Sequence, residues 1–95
     1  MSITDRLQTE SYEQYRDRKD YIVREWLKDH LTKEPQSKDQ LLDLYEMELE
    51  TEGCNRAERR HGIDQFDFPL RRAWWMLAAQ QYAEITPDLK IRIKI

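Results

Sequence analysis

The side chains that could hold a metal ion are His30, Cys54 and His61, together with many carboxylates. Glu58 and His61 have the Glu-x-x-His spacing with which di-iron helical bundles direct two ligands inward. Two arginines separate them, and cations beside a metal ion raise the electrostatic free energy of binding it. We therefore interpret this segment as a helix end whose charges complement the helix dipole. We expect no metal and no other cofactor.

Carboxylates crowd residues 39–52 and raise the question of Mg²⁺ chemistry. Asp43 and Glu46 have the three-residue step of the carboxylate pairs that hold Mg²⁺ in helical nucleotide pyrophosphatases, but a second pair is missing. With only 2 glycines, a phosphate-binding loop is implausible. No Cys-His or Ser-His-Asp arrangement can be identified either. We interpret the carboxylates as a solvated acidic face and expect that the protein is not an enzyme.

Charge is distributed unevenly along the chain. Residues 1–35 hold 7 basic and 8 acidic residues, residues 36–54 hold 1 and 6, and residues 55–95 hold 8 and 5. The basic stretch 56–72 includes Arg56, Arg59 and Arg60 and precedes two tryptophans, so it could hold a phosphate backbone and stack bases. The acidic block would repel the same backbone. Nucleic-acid binding through this stretch is therefore the alternative function, ranked below protein binding.

The composition predicts one mainly α domain over residues 1–95, with three or four helices and a minor C-terminal β-strand. The chain has 95 residues, of which 11% are aromatic, with only 3 prolines. Such a chain buries about two thirds of its unfolded surface, and a homodimer would bury more. A single cysteine excludes an intrachain disulfide and indicates a reducing compartment. No apolar run is long enough to span a membrane. We expect a cytoplasmic location.

Apolar periodicity predicts helices over about 4–33, 38–61 and 69–85. The first has a buried stripe of Tyr12, Tyr15, Ile22, Val23, Trp26 and Leu27. Ser37 and Gln40 form a capping-box pattern that should start the second helix. Its end is ambiguous. Either it runs to His61 with Gly62 as terminator, or Gly53 closes it, and Asn55 with Glu58 caps a new short helix.

The segment before the third helix, residues 63–68, is predicted to be a linker or short strand. Pro69 suits the first turn of that helix, with Asp67 as its cap. The stretches 56–60 and 66–68 together resemble the segment that precedes the ATPase core of helicase-loader-like transposition ATPases. No nucleotide-binding loop follows them. The resemblance therefore implies no activity for this chain.

Residues 89–95 alternate strictly between apolar and basic side chains, which is typical of a β-strand. A lone strand cannot satisfy its own backbone groups. We expect it to pair with residues 63–68, to pair across a homodimer, or to remain a loose tail. The functional interpretation is that Ile91, Arg92 and Ile93 add to the sheet edge of another protein.

Trp74 and Trp75 are adjacent, and adjacent helical residues point about 100° apart. Either Trp75 is exposed, or the helix lies between two layers that bury both rings. An exposed tryptophan suggests a protein interface, because tryptophan is enriched among binding hot spots.

These observations favour a non-enzymatic protein-binding module, a small adaptor or an inhibitor that acts on a larger protein. A phage-type accessory protein would have a similar size. The expected partner is another protein, with a homodimer as one assembly and no membrane. The predicted partner-binding residues are Trp75, Arg71, Arg72, Ile91, Arg92, Ile93, Glu46 and Glu50.

Overall fold

Three helices and one β-hairpin make up the part of the chain that the structure, a computed structural model, describes: residues 9–94. The elements are α1 (Tyr12–His30), α2 (Lys38–Thr51), α3 (Arg56–Ala79), β1 (Ala83–Ile85) and β2 (Ile91–Ile93). The prediction of a mainly helical single globule with a minor C-terminal β element is confirmed.

Each helix begins with a capping box. The N-cap side chains of Ser11, Ser37 and Asn55 accept the backbone N–H three residues on, and that residue's side chain accepts the cap's own N–H. This pair of bonds satisfies donors that a helix start leaves free. The predicted start of the first helix near residue 4 is wrong for residues 9–11, which are not helical, and residues 4–8 lie outside the described residues. The helix ends at His30, not at residue 33, because Leu31 adopts extended geometry.

The second helix ends at Thr51, so the predicted span 38–61 is wrong and the alternative end at Gly53 is right. Gly53 has φ 89°, a left-handed conformation that a residue without Cβ adopts readily. The N–H of Cys54 then bonds the carbonyl of Leu49, and the N–H of Gly53 bonds that of Glu50, which closes the helix.

Helix α3 runs without interruption through Gly62 and Pro69, so the predicted linker at 63–68 and the predicted helix 69–85 are wrong. Gly62 permits close approach of α2, because a Cβ there would lie 2.7 Å from Cδ1 of Leu49. Pro69 is buried in the core. Tertiary packing overrides the helix-breaking tendency of both residues. Asp67 is not a cap but lies within α3.

The core centres on Phe66, which is fully buried between the other two helices. Its ring stacks on Tyr45 of α2 at 3.8 Å between centroids and meets the edge of Trp26 of α1 at 5.0 Å. The indole N–H of Trp26 donates to Glu48 at 2.8 Å, which ties α1 to α2. These contacts fix the rotation of α3 relative to its neighbours.

The C-terminal strand pairs within the chain, but not with residues 63–68. β2 is antiparallel to β1, with Ala83 opposite Ile93 and Ile85 opposite Ile91. The end of the predicted third helix therefore forms a strand instead. Helix α3 is closed by Gln81, whose φ of 64° reverses the backbone before β1.

The second edge of β2 is also occupied. The backbone groups of Ile91 exchange two hydrogen bonds of 2.9 Å with Gln36, and the N–H of Ile93 donates to Thr32 at 2.9 Å. Ile91 itself is fully buried. The expectation that Ile91–Ile93 adds to another protein's sheet is wrong, because both edges of the strand already have intrachain partners. Ile95 lies outside the described residues.

We expect Ile91→Ala to lower the free energy of unfolding by about 2–5 kcal/mol, the usual effect of removing a buried aliphatic side chain. Leu89→Ala is the matched control, since Leu89 is 69% exposed in the hairpin turn. Urea unfolding followed by tryptophan fluorescence measures both. Equal effects of the two substitutions would contradict the core position of Ile91.

Glu48→Ala should lower the free energy of unfolding by about 1 kcal/mol, because Trp26 and His30 lose their shared hydrogen-bond acceptor. Glu50→Ala removes an exposed glutamate from the same helix and should change stability little. The same urea titration compares them. A Glu48→Ala protein as stable as the Glu50→Ala control would show that the hydrogen bonds of Glu48 to Trp26 and His30 do not stabilise the fold.

Candidate functional site

One face of α3 carries exposed apolar side chains and arginines. Phe68, Arg71, Arg72, Trp75 and Met76 follow one another at helical steps of three and four and so share that face. Phe68 is 66% exposed, Trp75 is 63% exposed and Met76 is 42% exposed. The seven helical steps from Phe68 to Trp75 span about 10 Å. This set is here termed the α3 stripe.

The core on the opposite face of α3 forces this exposure. Trp74 is only 7% exposed, and Leu70 and Leu77 are fully buried beside it. Because adjacent helical residues point about 100° apart, a buried Trp74 turns Trp75 away from the core. The alternative in which both tryptophans are buried between two layers is therefore wrong.

Helix α1 holds the arginine in the middle of the stripe. The guanidinium of Arg72 donates to both carboxylate oxygens of Asp20, with Nη2 at 2.6 Å from Oδ1 and Nε at 3.2 Å from Oδ2. The same guanidinium lies 5.2 Å from the centroid of the Phe68 ring. Arg71 contacts Asp67 one turn earlier, with its Nε at 3.5 Å from Oδ1. Ion pairing and ring contact together restrict the orientation of Arg72 and Phe68.

A groove of about 220 Å³ adjoins the stripe between α1 and α3. Its lining residues comprise three cations and three aromatic residues, Tyr12, Tyr15, Arg16, Lys19, Phe68 and Arg72. No carboxylate is among these lining residues. The ammonium of Lys19 lies 4.6 Å from the centroid of the Tyr15 ring. Burial, and then the nearby charge of Arg72, lower the pKa of Lys19. This set is here termed the basic groove.

The other predicted cations lie at the opposite end of α3. Arg56 and Arg60 border a shallow depression with His61 and Asp64. From Arg60 to Arg71 the helix extends about 16 Å. Asp64 and Asp67 lie between them in the chain, so the basic stretch 56–72 is interrupted by acidic residues.

Arg59 is engaged within the protein. Its Nη1 donates to the Cys54 carbonyl at 2.8 Å, and its Nε lies 3.7 Å from a carboxylate oxygen of Glu46. Of the two predicted glutamates, Glu46 is thus paired with Arg59, and both it and Glu50 are exposed on α2. Arg92 is paired with Glu84 across the hairpin. The predicted partner-binding residues therefore lie on three elements, and only Trp75, Arg71 and Arg72 belong to the stripe.

His30, one of the candidate metal ligands, has other partners. His30 stacks on Trp26 at 4.0 Å, and its ring nitrogens lie 2.7 Å from the Trp26 carbonyl oxygen and from Oε1 of Glu48. Within residues 9–94, no three His, Cys, Asp or Glu side chains come together as a metal site. Over the same residues, no helix combines the length and the apolar character needed to cross a membrane.

The basic groove was not predicted from the sequence, and neither were two of the five stripe residues, Phe68 and Met76. Tyr12 was predicted to lie in a buried stripe, and Phe68 was predicted to lie in a linker. The available signal was the seven-residue spacing of Phe68 and Trp75, which places both on one face only if the helix continues through Pro69.

Trp74→Ala and Trp75→Ala form a matched pair of adjacent substitutions. The first should lower the free energy of unfolding by about 3–5 kcal/mol, because it empties part of the core. The second should change it by about 0.5 kcal/mol or less, as exposed positions do. Urea unfolding distinguishes them, and a large loss of stability in Trp75→Ala would place that ring in the core.

Comparison with known proteins gives no match: no family model, curated protein or solved structure matches this chain. The chemistry of the α3 stripe and the basic groove is therefore the basis on which a function can be proposed.

Proposed function

We propose that this chain is a non-enzymatic protein-binding module, a small adaptor or an inhibitor of a larger protein, and that it binds through the α3 stripe. The observation that carries the proposal is the exposure of Phe68 and Trp75 on one face of α3, on either side of Arg71 and Arg72. Tryptophan and arginine are the residues most enriched among the hot spots of protein interfaces.

Three physical features support the stripe as a binding surface. Exposed aromatic residues, methionine and arginine, which share this face of α3, are the residue types enriched at the centre of protein interfaces. The opposite face of α3 is anchored in the core, so Trp75 is presented by a rigid element and little conformational entropy is lost on binding. Arg72 is already held by Asp20 and need not be ordered by a partner.

The remaining expectations belong to the same proposal. Exposed Glu46 and Glu50 on α2 would suit a basic area of the target, outside the central contact. Arg92 and Ile93 are partly exposed on the hairpin and could contribute at the edge. A homodimer would place a second copy on the stripe. The single cysteine is consistent with a cytoplasmic location, and the size with a phage-type accessory protein.

The alternative, a nucleic-acid-binding regulator, would use Arg56 and Arg60. These cations border one depression. A nucleic-acid site needs several phosphate contacts along a continuous basic track. Asp64 and Asp67 follow them along α3, and Arg59 is paired with Glu46, which is why protein binding is preferred.

Affinity capture with matched variants tests the proposal. The wild-type chain, a Phe68→Ala/Trp75→Ala variant and a Met47→Ala control are each immobilised and exposed to host lysate, with and without nuclease. Met47 is 62% exposed on α2, so its removal also deletes exposed apolar area but leaves the stripe intact. Bound proteins are quantified by mass spectrometry.

We expect one protein to be retained by the wild type and by Met47→Ala after nuclease treatment, and to be reduced about tenfold or more on the double variant, as for the loss of a hot spot. Retention of the same protein by the double variant would contradict binding through the stripe. Captured material that disappears with nuclease and with Arg56→Glu would favour the nucleic-acid alternative.

A further inference from the structure

The three cations of the basic groove differ in how far their charges are neutralised. Arg72 donates from Nε and Nη2 to the carboxylate of Asp20. Arg16 lies 3.6 Å from Asp17, in a pair whose side chains are both largely exposed, and such pairs are weak. Lys19 has no ion pair to any residue of 9–94, and its ammonium lies over the face of Tyr15. The carboxylate of Asp20, already bonded to Arg72, also attracts this ammonium, but its effect is smaller than those of burial and of Arg72. Among residues 9–94, the carboxylates near the groove therefore neutralise its positive charge only in part.

The surroundings of Lys19 destabilise the charged form of its ammonium when no ligand is bound. Its ammonium is partly removed from water and lies close to the charge of Arg72, and both effects disfavour its charged form. An anion in the groove would offset both effects at once. Charge complementarity therefore points to an anionic ligand group, and the ring of Phe68 supplies an apolar wall beside it.

We propose that the basic groove binds an aspartate or glutamate side chain of the partner protein, within an extended segment whose apolar residue covers Trp75. This inference rests on the proposed function, because the groove and the α3 stripe share Phe68 and Arg72. The expected ligand is thus a peptide segment with an acidic residue and a nearby large apolar residue. The groove would bind the acidic side chain, and Trp75 would contact the apolar one.

The geometry sets the spacing within that segment. Phe68 borders the groove, and Trp75 lies about 10 Å away along α3. An extended peptide rises about 3.3 Å per residue, so about three residues bridge that distance. The segment should therefore carry its apolar residue about three positions from its acidic residue.

A nucleic-acid strand fits this site less well. The groove has a volume of about 220 Å³ and three cations, enough for one or two anionic groups. A polynucleotide continues beyond it in both directions, and the exposed carboxylate of Asp17 lies beside Arg16 at the groove. The whole chain also has a net charge of −3. Repulsion from these acidic surroundings weakens the binding of a long polyanion more strongly than it weakens the binding of a single carboxylate.

Selection from a random library of displayed 12-residue peptides tests the inference without knowledge of the partner. The full chain is the bait, and selected peptides are then synthesised with a fluorescent label for anisotropy titrations. We expect enrichment of sequences with Asp or Glu about three positions from an aromatic or large aliphatic residue. Replacing that acid by its amide should weaken binding about tenfold, the effect of losing one favourable charge pair.

Variants of the groove supply the second measurement. Lys19→Glu and Arg16→Glu should each weaken the selected peptide about tenfold or more, whereas Lys19→Arg should retain binding because it keeps the charge. Arg56→Glu is the control, since it makes the same change of net charge at the far end of α3. Arg16 is largely exposed, so Arg16→Glu remains informative if Lys19→Glu does not fold.

Several results would overturn the inference. Peptides without an acidic preference, or peptides that bind Lys19→Glu and Arg16→Glu as well as the wild type, would exclude carboxylate recognition in the groove. If peptides without an acidic residue are enriched and do not bind Phe68→Ala/Trp75→Ala, the proposed binding through the α3 stripe would still stand, although carboxylate recognition in the groove would not. A single-stranded oligonucleotide that binds more tightly than any selected peptide, and that loses binding in Lys19→Glu and Arg16→Glu, would assign the groove to nucleic acid. Absence of any enriched peptide would also refute the inference.

Discussion

The contact of the Phe66 ring with the rings of Tyr45 and Trp26 sets the rotation of α3, and the remaining structure depends on that rotation. The ring of Phe66 is fully buried, stacks on Tyr45 and meets Trp26 edge-on, so packing holds it from two sides. Each helical residue turns by about 100°, so the faces of all later residues follow from this one. Phe68, two residues on, and Trp75, nine residues on, must point away from the core. The position of the α3 stripe, on the face opposite the core, therefore follows from the packing of the core. Its aromatic residues do not follow from it, because the core does not require aromatic side chains there.

The sequence predicted the structure well where a helix boundary depends on the residue type at one position, as at a helix cap. Ser37 and Gln40 start α2 as predicted, and Gly53 ends it with a positive φ. The prediction failed where packing overrides local preference. Gly62 marks the close approach of Leu49, and buried Pro69 fills the core, so neither breaks α3. Because the sequence predicts a break before Pro69, it does not place Phe68 on the same face as Trp75, and Phe68 was missed as a stripe residue.

The C-terminal end shows a second reason for failure. α2 and α3 end with the same pair of hydrogen bonds, but the left-handed position is Gly53 in one and Gln81 in the other. A glycine in the sequence indicates a left-handed helix end, because glycine is the usual residue there, whereas a glutamine does not. The periodicity of residues 82–85 was therefore assigned to a helix. Alternation correctly identified the strand that follows, but its pairing depends on tertiary contacts with Gln36 and β1.

Net charge is a poor guide to what this surface can bind. The chain is negative overall because residues 36–54 carry one basic and six acidic residues. None of these residues lines the basic groove. At physiological ionic strength, charges more than about 8 Å apart in solvent are largely screened. A single carboxylate in the groove would therefore interact mainly with Arg16, Lys19 and Arg72. A polynucleotide, which extends over several screening lengths, would also meet acidic neighbours. Local geometry, not net charge, thus favours a short acidic segment of a protein.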